Sequence, residues 1–236
     1  MASSTSAQSN AFRWTDFDAY LFDIDGTLLV TRDLVHYNAL NLAMREVYGV
    51  DTTIDGITYH GKTDLGILRA SLERAGIVGS TFEMKLPAAL QIIRREVNAN
   101  ASAINPAVCC GIREILASLK SAGKLLRIAS GNLESVGWHK IEAAGLRHFF
   151  SFGCFSDDHE MRVEIFCNAV AEVRRRLGER SEICFIGDTP SDIQAARELD
   201  AHIIAVCTGT YKSEELTCHE PDLCVPSCNE LLPHEL

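Results

Sequence analysis

Eight residues near the start of the chain carry the decisive pattern: Leu21-Phe22-Asp23-Ile24-Asp25-Gly26-Thr27-Leu28. The run Ala19-Tyr20-Leu21-Phe22 is apolar at every position. It ends in two acids two residues apart, followed at once by a glycine turn. A short run without polar alternation reads as a strand covered on both faces, as in a parallel sheet between helices. Carboxylates at the end of such a strand reach the crevice where open α/β sheets bind ligands. Two acids there can hold a hard cation, or one can attack an electrophile while the other handles a proton. Asp-Gly on its own is common in turns, and a strand closed by such a turn is the bland alternative. Two acids closing the first strand of an α/β pattern are harder to account for in that way.

Working outward, the same rhythm recurs. Short apolar runs at Leu125-Leu126-Arg127-Ile128-Ala129, Phe149 to Phe155, Ile183-Cys184-Phe185-Ile186 and Ala201 to Val206, with a weaker one at Leu223-Cys224-Val225, alternate with helical patterns. This alternation predicts an α/β fold with a Rossmann-like parallel sheet. Val108, Ile112, Ile115, Leu116 and Leu119 share one helix face, with Gly123 where a C-terminal cap belongs. A further helix runs from about Val163 to Leu177, and another begins near Ser191. The rhythm breaks between about Arg32 and Asn105, where no convincing strand occurs. Leu34, Tyr37, Asn41, Met44 and Tyr48 mark one helix there, and Thr63 or Asp64 caps a second carrying Leu65, Leu68 and Leu72. A third spans roughly Phe82 to Val97, with Pro87 in its first turn or at a kink. Residues 33–105 are therefore expected to form an all-helical lid inserted into a core made of 1–32 and 106–236.

Two more strand ends carry chemistry. Ile183-Cys184-Phe185-Ile186-Gly187-Asp188 again ends in an acid, and Asp192 follows four residues later at an expected helix start. Asp192 could simply serve that helix N-terminus. Asp188 has no such role, and metal ligation is its better reading. Ile128-Ala129-Ser130-Gly131-Asn132 ends a strand in a hydroxyl and a glycine. A serine hydroxyl with a backbone N–H of the following turn can bind phosphate oxygens, although Ser-Gly-Asn is also ordinary turn chemistry.

In this order, D-x-D-G-T from Asp23, the strand-terminal Ser130 and the late G-D-x-x-x-D ending at Asp192 resemble the haloacid dehalogenase superfamily of phosphotransferases, from about Asp18 to Asp222. The resemblance implies a Mg²⁺-dependent phosphomonoesterase with a helical C1 cap inserted after the first motif. Tyr59-His60-Gly61-Lys62-Thr63-Asp64 is similar to the cap loop of phosphoglycolate phosphatase-like members. By the same resemblance Asp23 is the nucleophile that becomes an aspartyl-phosphate, and Asp25 is the general acid and base, with its backbone carbonyl on Mg²⁺. Ser130 is the phosphate-binding hydroxyl. Asp188 is the main further metal ligand, with Asp192 behind it or bound through water. Gly26, Thr27, Gly131 and Asn132 would surround the substrate, and Lys62 of the cap loop would face the leaving group. The family normally places a Lys before the last motif. Between Asp157 and Glu164 the only such base is Arg162, which takes the role of neutralising Asp23 and the phosphate; Lys140, in the helix after Ser130, is the other candidate. Arg keeps its charge and can fork onto phosphate oxygens. The acid at position 25 favours a phosphate ester, whose alkoxide leaving group needs a proton. A small substrate such as 2-phosphoglycolate is implied. A phosphomutase of the same superfamily and a non-catalytic phospho-ligand binder are the alternatives.

Composition narrows the partners. The net charge of the 236-residue chain is −10, which disfavours nucleic acid, since that binding rests on Lys and Arg. No apolar run of about 18 residues or more occurs, so no membrane partner is expected. Met1 to Asn10 is Ser-rich without an apolar segment and reads as a frayed tail rather than a signal peptide. Pro233-His234-Glu235-Leu236 is only faintly like an ER-retention signal. Nine cysteines, several inside apolar runs, read as free thiols in a cytoplasmic protein. Cys218, His219, Cys224 and Cys228 lack the C-x₂-C spacing of a common zinc site. A monomer or a homodimer is compatible with all of this.

Overall fold

A computed structural model of the chain describes residues 12–232. The tail Met1–Asn10 and the last four residues lie outside them. The strands are β1 (Ala19–Phe22), β2 (Leu29–Thr31), β3 (Pro106–Val108), β4 (Leu125–Ala129), β5 (Gly153–Cys154), β6 (Ile183–Gly187), β7 (His202–Val206) and β8 (Leu223–Val225). The helices are α1 (Val35–Ala43), α2 (Asp64–Arg74), α3 (Ser80–Ala99), α4 (Ile112–Ser121), α5 (Glu134–Ala143), α6 (Arg162–Leu177), α7 (Pro190–Glu198) and α8 (Ser213–Thr217).

Six strands form one parallel sheet in the order β5-β4-β1-β6-β7-β8. All four residues of β1 are buried, as its unbroken apolar run requires. Side chains alternate across the sheet. Tyr20, Phe22, Ile128 and Ile186 face one layer with Ile112, Ile115 and Leu119 of α4. Leu21, Ala129 and Phe185 face the opposite layer with Phe166 of α6 and Ile193 of α7. Phe166 and Phe185 stack with ring centroids 3.9 Å apart.

The residues between β2 and β3 build a separate apolar cluster. Leu40, Met44, Leu68, Leu72, Phe82 and Ile93 sit at its centre. Leu133 and Val136, at the start of α5, are the points where the sheet-bearing part enters that cluster. Thr63 caps α2, its hydroxyl accepting from Gly66 N at 3.0 Å. No described helix is long and apolar enough to cross a membrane.

Three local expectations need correction, and one pair of strands lies outside the apolar runs read from the sequence. Two short strands flank the helical insertion, and β2 and β3 pair antiparallel with Val30 opposite Ala107. The apolar stretch Phe149 to Phe155 yields a strand of only Gly153 and Cys154, preceded by a 3₁₀ turn at Arg147–Phe149. Val108 belongs to β3, so α4 starts only at Ile112. Pro87 lies in the interior of α3 rather than in its first turn. Removing the stacked ring beneath the sheet should be costly: Phe185→Ala is expected to lower unfolding stability by about 3–5 kcal/mol, read as a shift in the guanidinium midpoint.

Candidate active site

Three neighbouring strands deliver their end residues to one place. β1 pairs with β4 on one side and β6 on the other, with Phe22 opposite both Ile128 and Ile186. The chain thus leaves the centre of the sheet in both directions, and the crevice opens at that switch point. Asp23 follows β1, Ser130 follows β4 and Asp188 follows β6. Asp23, Ser130 and Asp188 are all buried.

Asp23, Asp188 and Asp192 each offer an oxygen within 4.8 Å of one another. Arg162, the first residue of α6, lies among them. Its Nη1 is 2.5 Å from Asp192 Oδ1 and 3.4 Å from Asp23 Oδ2. One guanidinium therefore serves three buried carboxylates, which leaves an excess of negative charge in a place with little water. Burial pushes Asp23 up to about 6; Arg162 opposes the rise and Asp192 adds to it. Burial, with Asp23 and Asp192 nearby, raises Asp188 well above the carboxylate range. Burial works against the charge on Arg162, but Asp192, Asp23 and Asp188 outweigh it and hold the guanidinium firmly protonated. An all-oxygen cluster with surplus negative charge suits a hard divalent cation.

The surrounding backbone is shaped to this cluster. Thr27 Oγ1 donates to Asp188 Oδ1 at 3.0 Å. A Cβ on Gly26 would stand 2.1 Å from Asp188 Oδ2, and one on Gly209 only 1.8 Å away. Thr208 Oγ1 donates to Gly26 O at 2.5 Å, which fixes that loop against the D-x-D turn. Asp192 is the N3 residue of α7. Its Oδ2 accepts from Thr189 N at 3.1 Å and from Thr189 Oγ1 at 2.7 Å. Both of its oxygens already accept protein bonds, so Asp192 braces Arg162 and the helix start from behind the cluster.

The Asp25 carboxylate does not join the three. Lys140 Nζ donates to its Oδ2 at 2.7 Å, Asn132 Nδ2 to the same oxygen at 2.9 Å, and Thr31 Oγ1 to Oδ1 at 3.1 Å. Burial would raise its pKa, but the charge of Lys140 and the bonds from Lys140 and Asn132 hold it down at about 2.

These groups share a cavity of about 480 Å³. Asp23, Asp25, Ser130, Arg162 and Asp188 line it on the sheet side. Of the residues expected around the substrate, Gly26, Gly131, Asn132 and Lys62 also line it, while Thr27 is spent on Asp188 and does not. His36, Tyr37, Tyr59 and His60 close the other side from the helical insertion. The insertion is bonded down over the cavity. Asp64 N donates to Gly131 O at 2.8 Å, Leu133 N to Asp64 Oδ2 at 2.8 Å, and Thr63 Oγ1 to Glu160 O at 2.6 Å. Lys140, the sequence's other candidate to Arg162, also lines the cavity, but it sits on Asp25 rather than Asp23. His36 and the loop at Thr208–Thr210 also line it and carry no signal in the sequence.

A family model described as Haloacid dehalogenase-like hydrolase matches residues 20–206. A phosphoglycolate phosphatase of Nitrosospira multiformis is 24% identical over 214 residues, covering 90% of this chain and 92% of that one. The solved structure of CbbY from Rhodobacter sphaeroides in complex with phosphate superposes with a TM-score of 0.69 at 20% identity, covering 91% of this chain and 96% of that one. A putative beta-phosphoglucomutase from Bacteroides vulgatus superposes with a TM-score of 0.65 at 20% identity, covering 92% and 86%.

Asp23 sits near 6 in the folded chain against 3.8 in its ordinary state. The folded chain therefore keeps a proton that the unfolded chain releases, and this contribution to stability is lost as pH rises from about 4 to about 6. A bound divalent cation replaces that proton. The rise in thermal midpoint on adding a divalent cation should thus be larger near pH 7.5 than near pH 5, and Asp188→Asn should diminish it. Equal rises at both pH values would contradict the assignment of the cluster to a cation.

Proposed function

The chain belongs to the haloacid dehalogenase-like hydrolases, and from that premise we propose that it is a Mg²⁺-dependent phosphatase of small phosphomonoesters that works through an aspartyl-phosphate on Asp23. One observation carries the reading. A buried carboxylate at the centre of the sheet faces a cavity beneath the helical insertion, with a guanidinium at 3.4 Å and a second, separately held carboxylate on the same turn.

Asp23 attacks phosphorus, forming an Oδ–P bond as the bond to the leaving oxygen breaks. Asp25, ionised before substrate binds, passes to that oxygen a proton brought in by the phosphate monoanion, and later takes one from the water that releases phosphate. Ser130 and the backbone N–H groups of Gly131 and Asn132 hold phosphate oxygens. Arg162 offsets the repulsion between Asp23 and the phosphate, and positioning and charge stabilisation of this kind dominate phosphoryl transfer. Asp23, Asp188 and the backbone carbonyl of Asp25 would hold Mg²⁺, which supplies positive charge for the transferring phosphoryl group when bound. The lid, residues 33–105, keeps bulk water from the first step.

The cavity limits the leaving group to a small one, and a folded phosphoprotein would not fit beneath the bonded lid. Exposed Lys62 lines the cavity from the cap loop and can pair with a carboxylate, which favours 2-phosphoglycolate or a similar acid. The nine free cysteines agree with a cytoplasmic setting.

The test is phosphate release from a panel of small phosphomonoesters, 2-phosphoglycolate among them, with Mg²⁺ and with a chelator. Mg²⁺-dependent release is expected, and Asp23→Asn should abolish it while the thermal midpoint survives. A folded, metal-supplied protein that releases phosphate from none of them would refute the reading. Lys62→Ala should raise KM for 2-phosphoglycolate about tenfold and affect an uncharged ester far less, as removal of a charge-assisted contact of ~1.4 kcal/mol would.

A further inference from the structure

Lys140 is buried on α5, and its side chain is only 5% exposed. An ammonium is costly to bury unless its donors are used, and here all three have partners. Nζ donates to Asp25 Oδ2 at 2.7 Å and to Asn132 Oδ1 at 2.8 Å, and His36 Nδ1 lies 3.3 Å away. An apolar residue would fill this helix position at no such cost, so packing does not account for a lysine there. Asn132 ties the arrangement together: its Nδ2 donates both to Asp25 Oδ2 and to Ser130 Oγ, each at 2.9 Å.

Two buried cations thus reach the cavity and serve different carboxylates. Arg162 is set on Asp23 and Asp192, Lys140 on Asp25. We propose that Lys140 is a positioning residue for the acid–base carboxylate of Asp25, leaving Arg162 to the nucleophile. The inference rests on the phosphatase reading and deepens it. Asp25 stands directly before the Gly26 turn, and its side chain is 42% exposed. Without a fixed partner it could rotate away from the leaving oxygen. Lys140 and Asn132 pin one oxygen and Thr31 the other, so the carboxylate stands at a single orientation. The third donor of Lys140 finds its partner on α1 of the lid. His36 in turn stands 3.2 Å, though off the hydrogen-bonding line, from Asp64 Oδ2, which also holds Leu133 N. The alignment of Asp25 is therefore completed by a residue that arrives with the lid.

A residue that aligns the acid matters in proportion to how much the leaving oxygen needs a proton. A nitrophenolate leaves readily without one; an alkoxide does not. The comparison is made on kcat/KM, which ends at phosphoryl transfer to Asp23 and is blind to the later attack of water. For Lys140→Met, the loss in kcat/KM should be at least about tenfold greater for an alkyl ester such as glycerol 2-phosphate than for p-nitrophenyl phosphate, since general acid catalysis contributes roughly 10²–10⁴-fold. Lys140→Arg, which keeps the charge and a donor, should recover part of the alkyl activity. Equal losses on both esters, or no loss on either, would overturn the proposal. Should Lys140→Met not fold, Lys140→Gln, which keeps a bond to Asn132, carries the same comparison. The phosphatase reading fails separately: it falls if the wild-type protein hydrolyses neither ester with Mg²⁺.

Discussion

The structure depends on placing three carboxylates, Asp23, Asp188 and Asp192, where water cannot screen them, with one guanidinium between them. Nothing in hydrophobic packing favours such a centre. It stands because the sheet and its helices bury enough apolar surface to offset it, and because each carboxylate is held by neighbours that have little other purpose. The backbone has been cleared around them. Gly26 and Gly209 leave room for Asp188, and a Cβ on Gly187 would fall 2.6 Å from that of Asp192. Thr27 and Thr189 give hydroxyl donors to Asp188 and Asp192. The chemistry of the site and the glycine and threonine content of its loops are thus one constraint seen twice.

The lid is joined to this centre differently from the way it is built. Inside, it has its own apolar cluster. Across the cavity, its contacts are mostly polar. Asp64 bonds the Gly131 and Leu133 backbone, Thr63 bonds Glu160 O, and Arg94 pairs with Asp157 at 2.7 Å. Each such bond nets only about 0.5–1.5 kcal/mol because water replaces it, and partly exposed ion pairs contribute about 0–1 kcal/mol. An interface of this composition can open without exposing a large apolar face. The exception is Leu133 and Val136, which anchor the start of α5 in the lid's cluster. Since α5 also carries Lys140, the helix that senses the lid is the one that touches Asp25.

Much of this was legible in the chain itself, for a physical reason. Strands β1 and β6 are buried on both faces, which continuous apolar runs satisfy, and β4 interrupts its run only at Arg127, buried against the Phe152 ring. Acids and a serine directly after such runs have one destination. What escaped reading depended on partners distant in sequence. β2 and β3 are three-residue strands 75 positions apart that exist only as a pair. The run to Phe155 is apolar because Phe150 and Phe155 fill the core as loop residues, not because a long strand is present. Pro87 sits inside α3, where lid packing overrides its local cost. Lys140 is separated from Asp25 by 115 residues, and no periodicity on α5 distinguishes a buried ammonium from an exposed one.

The arginine at position 162 departs from the lysine usual in the resemblance, and its geometry gives a reason. A lysine presents one charged point. Arg162 reaches in two directions at once. Nη1 lies between Asp192 and Asp23, and Nε donates to Gly61 O of the lid loop at 3.3 Å. The same side chain therefore touches the nucleophile, the brace behind it and the segment that closes the cavity. Gly131 must lack a side chain for this, since a Cβ there would press on the Arg162 guanidinium and on the Lys62 carbonyl, at 3.1 and 2.8 Å. A forked cation can couple lid position to the charge around Asp23. Lys140 also gathers partners from different segments, Asp25, Asn132 and His36. The two cations differ in their acids: the planar fork stands between two carboxylates, and the point charge stands against one.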